Sequence, residues 1–307
     1  MKRKVSLHGP STLTISLPSA WAKKYGIKKG HELDIEINGK NLSIKGGSEK
    51  KEHKKTRIDI GDLNQRLGQG VLSLLYKKGL DEIEVYYNDP KSSQMIQRAV
   101  KNHLLGFIIM EQGKNRCLLK CVSKELKEEF DKSLRRAFLV TLSLAESSLE
   151  MIRNNDYDSL NELKALETTN NQLTNFCERL LNRDFNGEEK TTFKYVIVWQ
   201  LEKIADEYNE ILKLIIKNKV KQVSKDIIKL YEETNRILRR FYEIYYKIDL
   251  NRLQELFMEK RKIEESVHKN RIKSSLELMM VLHLLRIVSQ IIDISPSILV
   301  VNGFLEE

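Results

Sequence analysis

The sequence predicts a multidomain α+β fold. It expects one half of a β-barrel at the N-terminus, a small α/β domain in the middle, and an all-α C-terminal domain of tandem three-helix bundles. Three observations predict this. Residues 1–46 alternate apolar and polar positions in short runs separated by tight turns. Residues 57–123 switch repeatedly between strand and helix patterns. No proline intervenes between Pro90 and Pro296, and beyond 124 Leu and Ile recur at helical spacing. The expected boundaries are 1–46, a linker at 47–56, 57–123 and 124–307.

In the first module, 5–7 reads as a strand and Gly9-Pro10-Ser11 as a turn. Leu13, Ile15 and Leu17 alternate with Thr14 and Ser16, and Pro18 ends that strand. Ser19 can cap a short helix over 20–25, and Gly26 can terminate it in the left-handed conformation. Leu33, Ile35 and Ile37 form a third strand. Asn38-Gly39 signals a hairpin, and Leu42 and Ile44 lie on the return strand. Four short strands and one helical turn enclose too little interior for a stable monomer. Two interleaved copies would close a barrel and remove its edges.

Charge separates this module from the rest. The chain of 307 residues carries a net +10, and its first 55 residues hold 13 Lys and Arg against 5 Asp and Glu. A basic face of that kind suits nucleic acid or an acidic membrane surface. Cys117, Cys121 and Cys177 make neither a zinc pattern nor a disulfide framework. No secretory signal and no unbroken apolar run of ~18–20 residues is read in the sequence, so a cytoplasmic protein without a transmembrane segment is expected.

The order Leu17-Pro18, Lys23-Lys24-Tyr25-Gly26-Ile27, Lys29-Gly30-His31-Glu32, Asn38-Gly39 resembles the AbrB/MazE/SpoVT family. The resemblance covers nearly the whole module. It implies a swapped-hairpin homodimer that binds double-stranded DNA. The contacts it implies are Lys2, Arg3, Lys4, the Ser11-Thr12 turn, Lys23 and Lys24. One departure stands out: Gly9 is followed by Pro10, where many members carry Arg. Arg3 is then the only Arg in the module, so bidentate reading of guanine has few candidates.

The middle segment reads as a strand over 57–60, then a helix over 63–78 capped by Asp62 and stopped by Gly79. Its expected interior face is Leu67, Val71, Leu74 and Leu75. A strand over 81–87, a helix from Pro90 to about His103 and a hairpin around Gln112-Gly113-Lys114-Asn115 follow. The order β-α-β-α-β-β describes one sheet faced by two helices. The stretch Gly68-Gln69-Gly70 lies in a helical pattern and lacks a phosphate loop's context. A spacer or interface role is expected, with ligand sensing as the alternative.

The last segment divides into helices at 124–153, 157–183, 188–218, 220–247, 250–267 and 269–293. Asn154-Asn155-Asp156, Asn186-Gly187 and Asp249 mark breaks. Glu202 and Asp206 share a helix face, as do Glu167 and Asn171. If those two helices pack together, the four oxygen-bearing side chains converge as candidate metal ligands. The competing reading is a solvated face with Lys203 compensating. Leu201-Glu202-Lys203-Ile204-Ala205-Asp206 resembles the repeated motif of the PhoU family. That resemblance implies a divalent or ferric metal at the first repeat and a link to phosphate-uptake control. In the second repeat, Leu285 and Ser289 replace both acids, so that copy is expected to be inert.

The functional expectation is a homodimeric, DNA-binding transcriptional regulator of phosphate homeostasis, not an enzyme. One alternative is an interaction protein restraining a phosphate transporter or sensor kinase. A metal-dependent hydrolase is the other.

Overall fold

The computed structural model describes residues 2–38, 40–46, 53–61, 63–123, 128–184, 190–269, 272 and 274–304. The expected cap Asp62, Gly39 of the hairpin, most of the linker (47–52) and the Asn186-Gly187 break lie outside the described residues. The chain forms two compact units, residues 1–53 and 54–307.

The first unit contains β1 (Val5–His8), β2 (Thr12–Ile15), α1 (Ser19–Lys24), β3 (Leu33–Asn38) and β4 (Asn41–Gly46). Strand β1 pairs antiparallel with β2, and β3 with β4, as two separate two-stranded sheets. The expected barrel half is corrected here. Each hairpin pairs only with itself, and both sheets are open rather than closed. With strands of four to six residues, local turns fix pairing within each hairpin, and among the described residues the outer edges have no partner strand. Ser19 is the first helical residue rather than the cap, which is Pro18. Gly26 takes the left-handed conformation that ends α1, at φ 64°.

The second unit opens with an α/β layer. It runs β5 (Lys55–Asp59), α2 (Gln65–Lys77), β6 (Glu82–Tyr86), α3 (Pro90–His103), β7 (Phe107–Gln112) and β8 (Arg116–Cys121). The sheet order is β5-β6-β8-β7, with β5 and β6 parallel and the remaining pairs antiparallel. Asn64 caps α2, its side chain accepting from Leu67 N at 3.0 Å, and Asp89 caps α3. Leu72, Tyr76, Ile83, Val85, Ile96 and Leu119 form the core of this layer. Helix α2 buries Gly68, Leu72 and Tyr76, not the expected face. Leu67 and Leu74 are exposed instead.

The helices follow: α4 (Glu129–Arg153), a 3-10 turn (Ser159–Leu163), α5 (Lys164–Asp184), α6 (Thr191–Lys217), α7 (Lys225–Tyr246), α8 (Leu250–Lys269), α9 (Ser275–Ile294) and α10 (Ser297–Val301). The tandem three-helix reading is corrected too. These are long helices around one continuous apolar core that runs from Phe130 in α4 to Ile298 in α10. Helix α6 packs on α9 as well as on α5, so no boundary divides the core into two bundles. The aromatic run after Arg239 is packing: Phe138 meets Phe241, Tyr242 and Tyr245 at 5.2–5.8 Å between ring centroids. Helix α9 has the length and composition to cross a membrane once its few charges are allowed. In the structure its Leu284, Ile287, Val288 and Ile291 are buried in the shared core.

The α/β layer and the helices belong to one unit, and a polar stripe joins them. Gln172, Asn175, Arg179 and Asn182 recur on one face of α5. Gln172 donates to Lys101 O at 2.6 Å and Asn175 to His103 O at 3.2 Å. Arg179 donates to Tyr76 O at 2.9 Å and Leu80 O at 2.6 Å, and Asn182 to Lys77 O at 2.9 Å. These carbonyls lie in or just beyond the last turns of α2 and α3, where helix geometry leaves acceptors without intrahelical donors. Helix α5 therefore caps two helices of the neighbouring layer at once. Arg179 is fully buried, stacked 5.0 Å from the Tyr76 ring centroid and 5.2 Å from that of Phe107. It also pairs with Asp81 at 3.2 Å. Burial pushes the Asp81 carboxyl up, but Arg183, the Lys54 N–H and Arg179 outweigh it and hold it below the usual carboxylate range.

Candidate nucleic-acid interface and the buried carboxylate cluster

Of the described residues in 2–46 whose side chains are placed, none is buried. Register explains what this means. Val5 lies opposite Ile15 and Leu7 opposite Leu13, so the four side chains share one face of the first hairpin. Ile35 lies opposite Ile44 and Ile37 opposite Leu42 in the second. Val5, Leu7, Leu13 and Ile15 are 51–70% exposed, and Ile37 is 75% exposed. An apolar side chain of this size contributes about 1.5–3 kcal/mol when fully buried. Within this unit that contribution is not realised.

The seven residues singled out for DNA contact are all exposed: Lys2, Arg3, Lys4, Ser11, Thr12, Lys23 and Lys24. Gly9, at φ 71°, supplies the left-handed turn that places Ser11 between β1 and β2 and Thr12 at the start of β2. Lys23 and Lys24 form the last turn of α1, with Lys24 Nζ 5.3 Å from the Tyr25 ring centroid. Basic residues there also suit the negative end of the helix dipole.

The second candidate was the quartet Glu167, Asn171, Glu202 and Asp206. Helix α5 does pack on α6. Asn171 Nδ2 donates to Glu167 Oε1 at 2.8 Å, and the Asp206 charge acts on Glu167 across the helix pair. Metal binding is nevertheless corrected. Among the described residues, no group of three His, Cys, Asp or Glu could hold an ion. Two ammonium groups stand among the acids instead. Lys203 Nζ lies 2.9 Å from Asp206 Oδ2 and 3.4 Å from Glu202 Oε1. Lys77 Nζ reaches in from α2, 3.1 Å from Glu178 Oε2 and 3.6 Å from Glu202 Oε2.

Glu178 is the member of this cluster that sequence reasoning missed. Its carboxylate is fully buried, accepts from Tyr195 Oη at 2.8 Å, and has no hydrogen-bond partner on Oε1. Burial pushes its carboxyl up, with Lys77 and Tyr195 opposing. Burial likewise raises Glu167 and Asp206. His103, at the end of α3, is held below its ordinary value by burial, against the pull of Glu202. Four acids, two lysines and a histidine thus form one electrostatic group where the α/β layer meets α5 and α6. The only sequence signal for Glu178 was its neighbour Arg179 on the polar stripe of α5.

No curated protein and no solved structure matches the chain. Residues 9–49 match the family model described as antidote-toxin recognition MazE, bacterial antitoxin, so the N-terminal module is similar to a regulatory domain of that kind.

Proposed function

We propose that this protein is a DNA-binding transcriptional regulator that works as a homodimer in the cytoplasm. One observation carries the reading: a module similar to an antitoxin recognition domain leaves its apolar hairpin faces bare and displays basic residues around its turns. A second copy would cover the apolar faces and double the positive charge. Two such faces suit two half-sites on a duplex. Lys2, Arg3, Lys4, Lys23 and Lys24 would meet phosphates, and Ser11 and Thr12 would contact the backbone or a base edge. The link to phosphate homeostasis rests on the resemblance of Leu201–Asp206 to the PhoU motif and on nothing in the geometry. The helical unit would bind the signal or a partner protein.

The test is a mobility-shift assay on genomic fragments, including those upstream of phosphate-transport genes, across a salt series. Lys23→Ala/Lys24→Ala is expected to flatten the dependence of log affinity on log salt by about 0.9 for each phosphate no longer neutralised. Binding unchanged in that variant removes α1 from the interface. Absence of specific binding to every fragment overturns the regulator reading and favours restraint of a transporter or sensor kinase.

A further inference from the structure

Among the described helices, α1, α2 and α3 carry basic residues and no acid. Helices α4 to α9 each carry both signs, and α10 carries no charge. Protein surfaces ordinarily intersperse the two signs, and a face of one sign attracts partners of the other. Helix α1 is the one that holds Lys23 and Lys24. Helices α2 and α3 repeat its charge signature in the second unit, with Arg66, Lys77, Lys91, Arg98 and Lys101.

Every described acid of the α/β layer is engaged elsewhere. On the sheet, Glu82 pairs with Lys55 at 2.9 Å, Glu84 with Arg57 at 2.6 Å and Arg116 at 2.7 Å, and Glu111 with Arg116 at 3.1 Å. Asp59 accepts from the Gly61 N–H and Asp89 from the Lys91 N–H, while Arg179 and Arg183 hold Asp81. Of the helix cations, Lys77 is used by Glu178 and Glu202. Arg66, Lys91, Arg98 and Lys101 are exposed, and among the described residues no acid pairs with their side chains. The sheet thus cancels its charges, and the helices of the same layer leave theirs open.

Positions 91, 94, 98 and 101 are spaced three, four and three apart. Lys91, Gln94, Arg98 and Lys101 therefore form one exposed stripe along α3, turned away from the buried Met95, Ile96 and Ala99. The stripe rises about 15 Å. One strand of B-DNA presents a phosphate about every 3.4 Å of axis, so a stripe of this length can follow about four phosphates. Each of its four side chains is a hydrogen-bond donor and three are cations, which matches a backbone made of anionic acceptors. A protein surface with both signs interspersed matches it less well.

We propose that α3 is a second DNA-backbone contact of this chain, with Lys91, Arg98 and Lys101 neutralising phosphates and Gln94 donating to one. Arg66 on α2 adds to the attracting field. The proposal rests on the reading of the chain as a DNA-binding protein. It makes the α/β layer part of the DNA-binding surface rather than a spacer, and its contribution is independent of base sequence.

The test measures binding of the full chain to a labelled DNA duplex of mixed sequence by fluorescence anisotropy, between ~50 and ~200 mM salt. Wild type is compared with Lys91→Gln/Arg98→Gln/Lys101→Gln. A control of equal charge change is Lys229→Gln/Arg236→Gln/Arg261→Gln, on α7 and α8, whose native side chains are likewise exposed and without a paired acid. Glutamine is a good helix former, so all three proteins should melt alike. The α3 variant is expected to flatten the slope of log affinity against log salt by about 2.7, or 0.9 for each of three phosphates, and the control by less than 0.9. Equal flattening in both variants means that net charge alone acts, and overturns the proposal. An unchanged slope in the α3 variant, with flattening in Lys23→Ala/Lys24→Ala, overturns it and leaves the N-terminal DNA contact standing. Wild type that binds no duplex at any salt overturns both. Vesicles of phosphatidylserine and phosphatidylcholine are sedimented with the same proteins. Vesicle binding lost in the α3 variant while its duplex slope is unchanged assigns the stripe to an anionic lipid surface and overturns the DNA contact.

Discussion

In the N-terminal hairpins, Val5, Leu7, Leu13, Ile15, Ile35 and Ile37 face solvent, whereas in the helical unit Leu134, Phe138, Leu201, Ile204 and Phe241 are fully or almost fully buried. The two regions use the same kind of residues at regular spacing and reach opposite outcomes. Long helices can bury one face against neighbours from the same chain. Two hairpins of four to six residues per strand have a face each and, among the described residues of their unit, no layer to cover it. The difference assigns them different work. The second unit buries its apolar faces within itself, and the described residues of the first leave theirs exposed.

The largest test of this contrast is Arg179→Met. It leaves the carbonyls of Tyr76 and Leu80 without these donors and strips one cation from the buried Asp81. A loss of about 4 kcal/mol in the unfolding of residues 54–307 is expected, measured by urea denaturation. A loss below about 1 kcal/mol would mean that Arg179 is not what holds the α/β layer to α5, and that packing and the remaining polar contacts do so. Lys77→Met comes next. Without its ammonium group, the fully buried Glu178 loses its cation and the half-buried Glu202 keeps only Lys203, and about 3 kcal/mol is expected to be lost. Adding Glu178→Gln should restore a large part of that. Simple addition of the two single effects in a double-mutant cycle would show that the pair is not coupled.

Leu7→Asp sharpens the comparison from the other side. It should leave the denaturation midpoint of the helical unit unchanged while weakening self-association by tenfold or more, about 1.4 kcal/mol, as read by sedimentation. An unchanged dimer would show that the first hairpin's apolar face is not the contact. The smallest effect concerns pH. Because burial holds His103 below its ordinary 6.5, the unfolded chain takes up this proton first. The stability it contributes is present above pH 6.5 and is lost as pH falls through the depressed folded value. Glu178, Glu167 and Asp206 are raised, so their contributions run the other way, present at low pH and lost as pH rises through their folded values. Melting curves between pH 7.5 and 5.5 should fall less steeply for His103→Gln than for the wild type. Identical slopes would remove His103 from the acid response.

Much of the architecture was legible in the sequence because period and punctuation report local structure. The β-α-β-α-β-β order followed from alternating runs bounded by Gly79, Pro90 and Gly113. The break before α5 followed from Asn154-Asn155-Asp156, and Asn155 does adopt the left-handed conformation, at φ 56°. Asp249 does open α8, accepting from the backbone N–H groups of Asn251 and Arg252. The buried face of α2 was not legible. Leu67, Val71 and Leu74 form one apolar stripe, and Leu72, Leu75 and Tyr76 form another. Periodicity has no means of choosing between two such stripes on one helix.

The carboxylate cluster divides in the same way. Helical spacing alone placed Glu202 beside Asp206 and Glu167 beside Asn171, since residues four apart share a face. Their neighbours were decided by packing. Lys77 arrives from α2, a hundred residues earlier in the chain, and places an ammonium group where the sequence suggested a metal. The apolar hairpin faces show the same limit. The alternation of Val5, Leu7, Leu13 and Ile15 determines that a face exists. Only the tertiary structure decided that no described residue of the same unit covers it. Spacing along a chain is a short-range property, and burial and charge compensation depend on which distant surfaces meet.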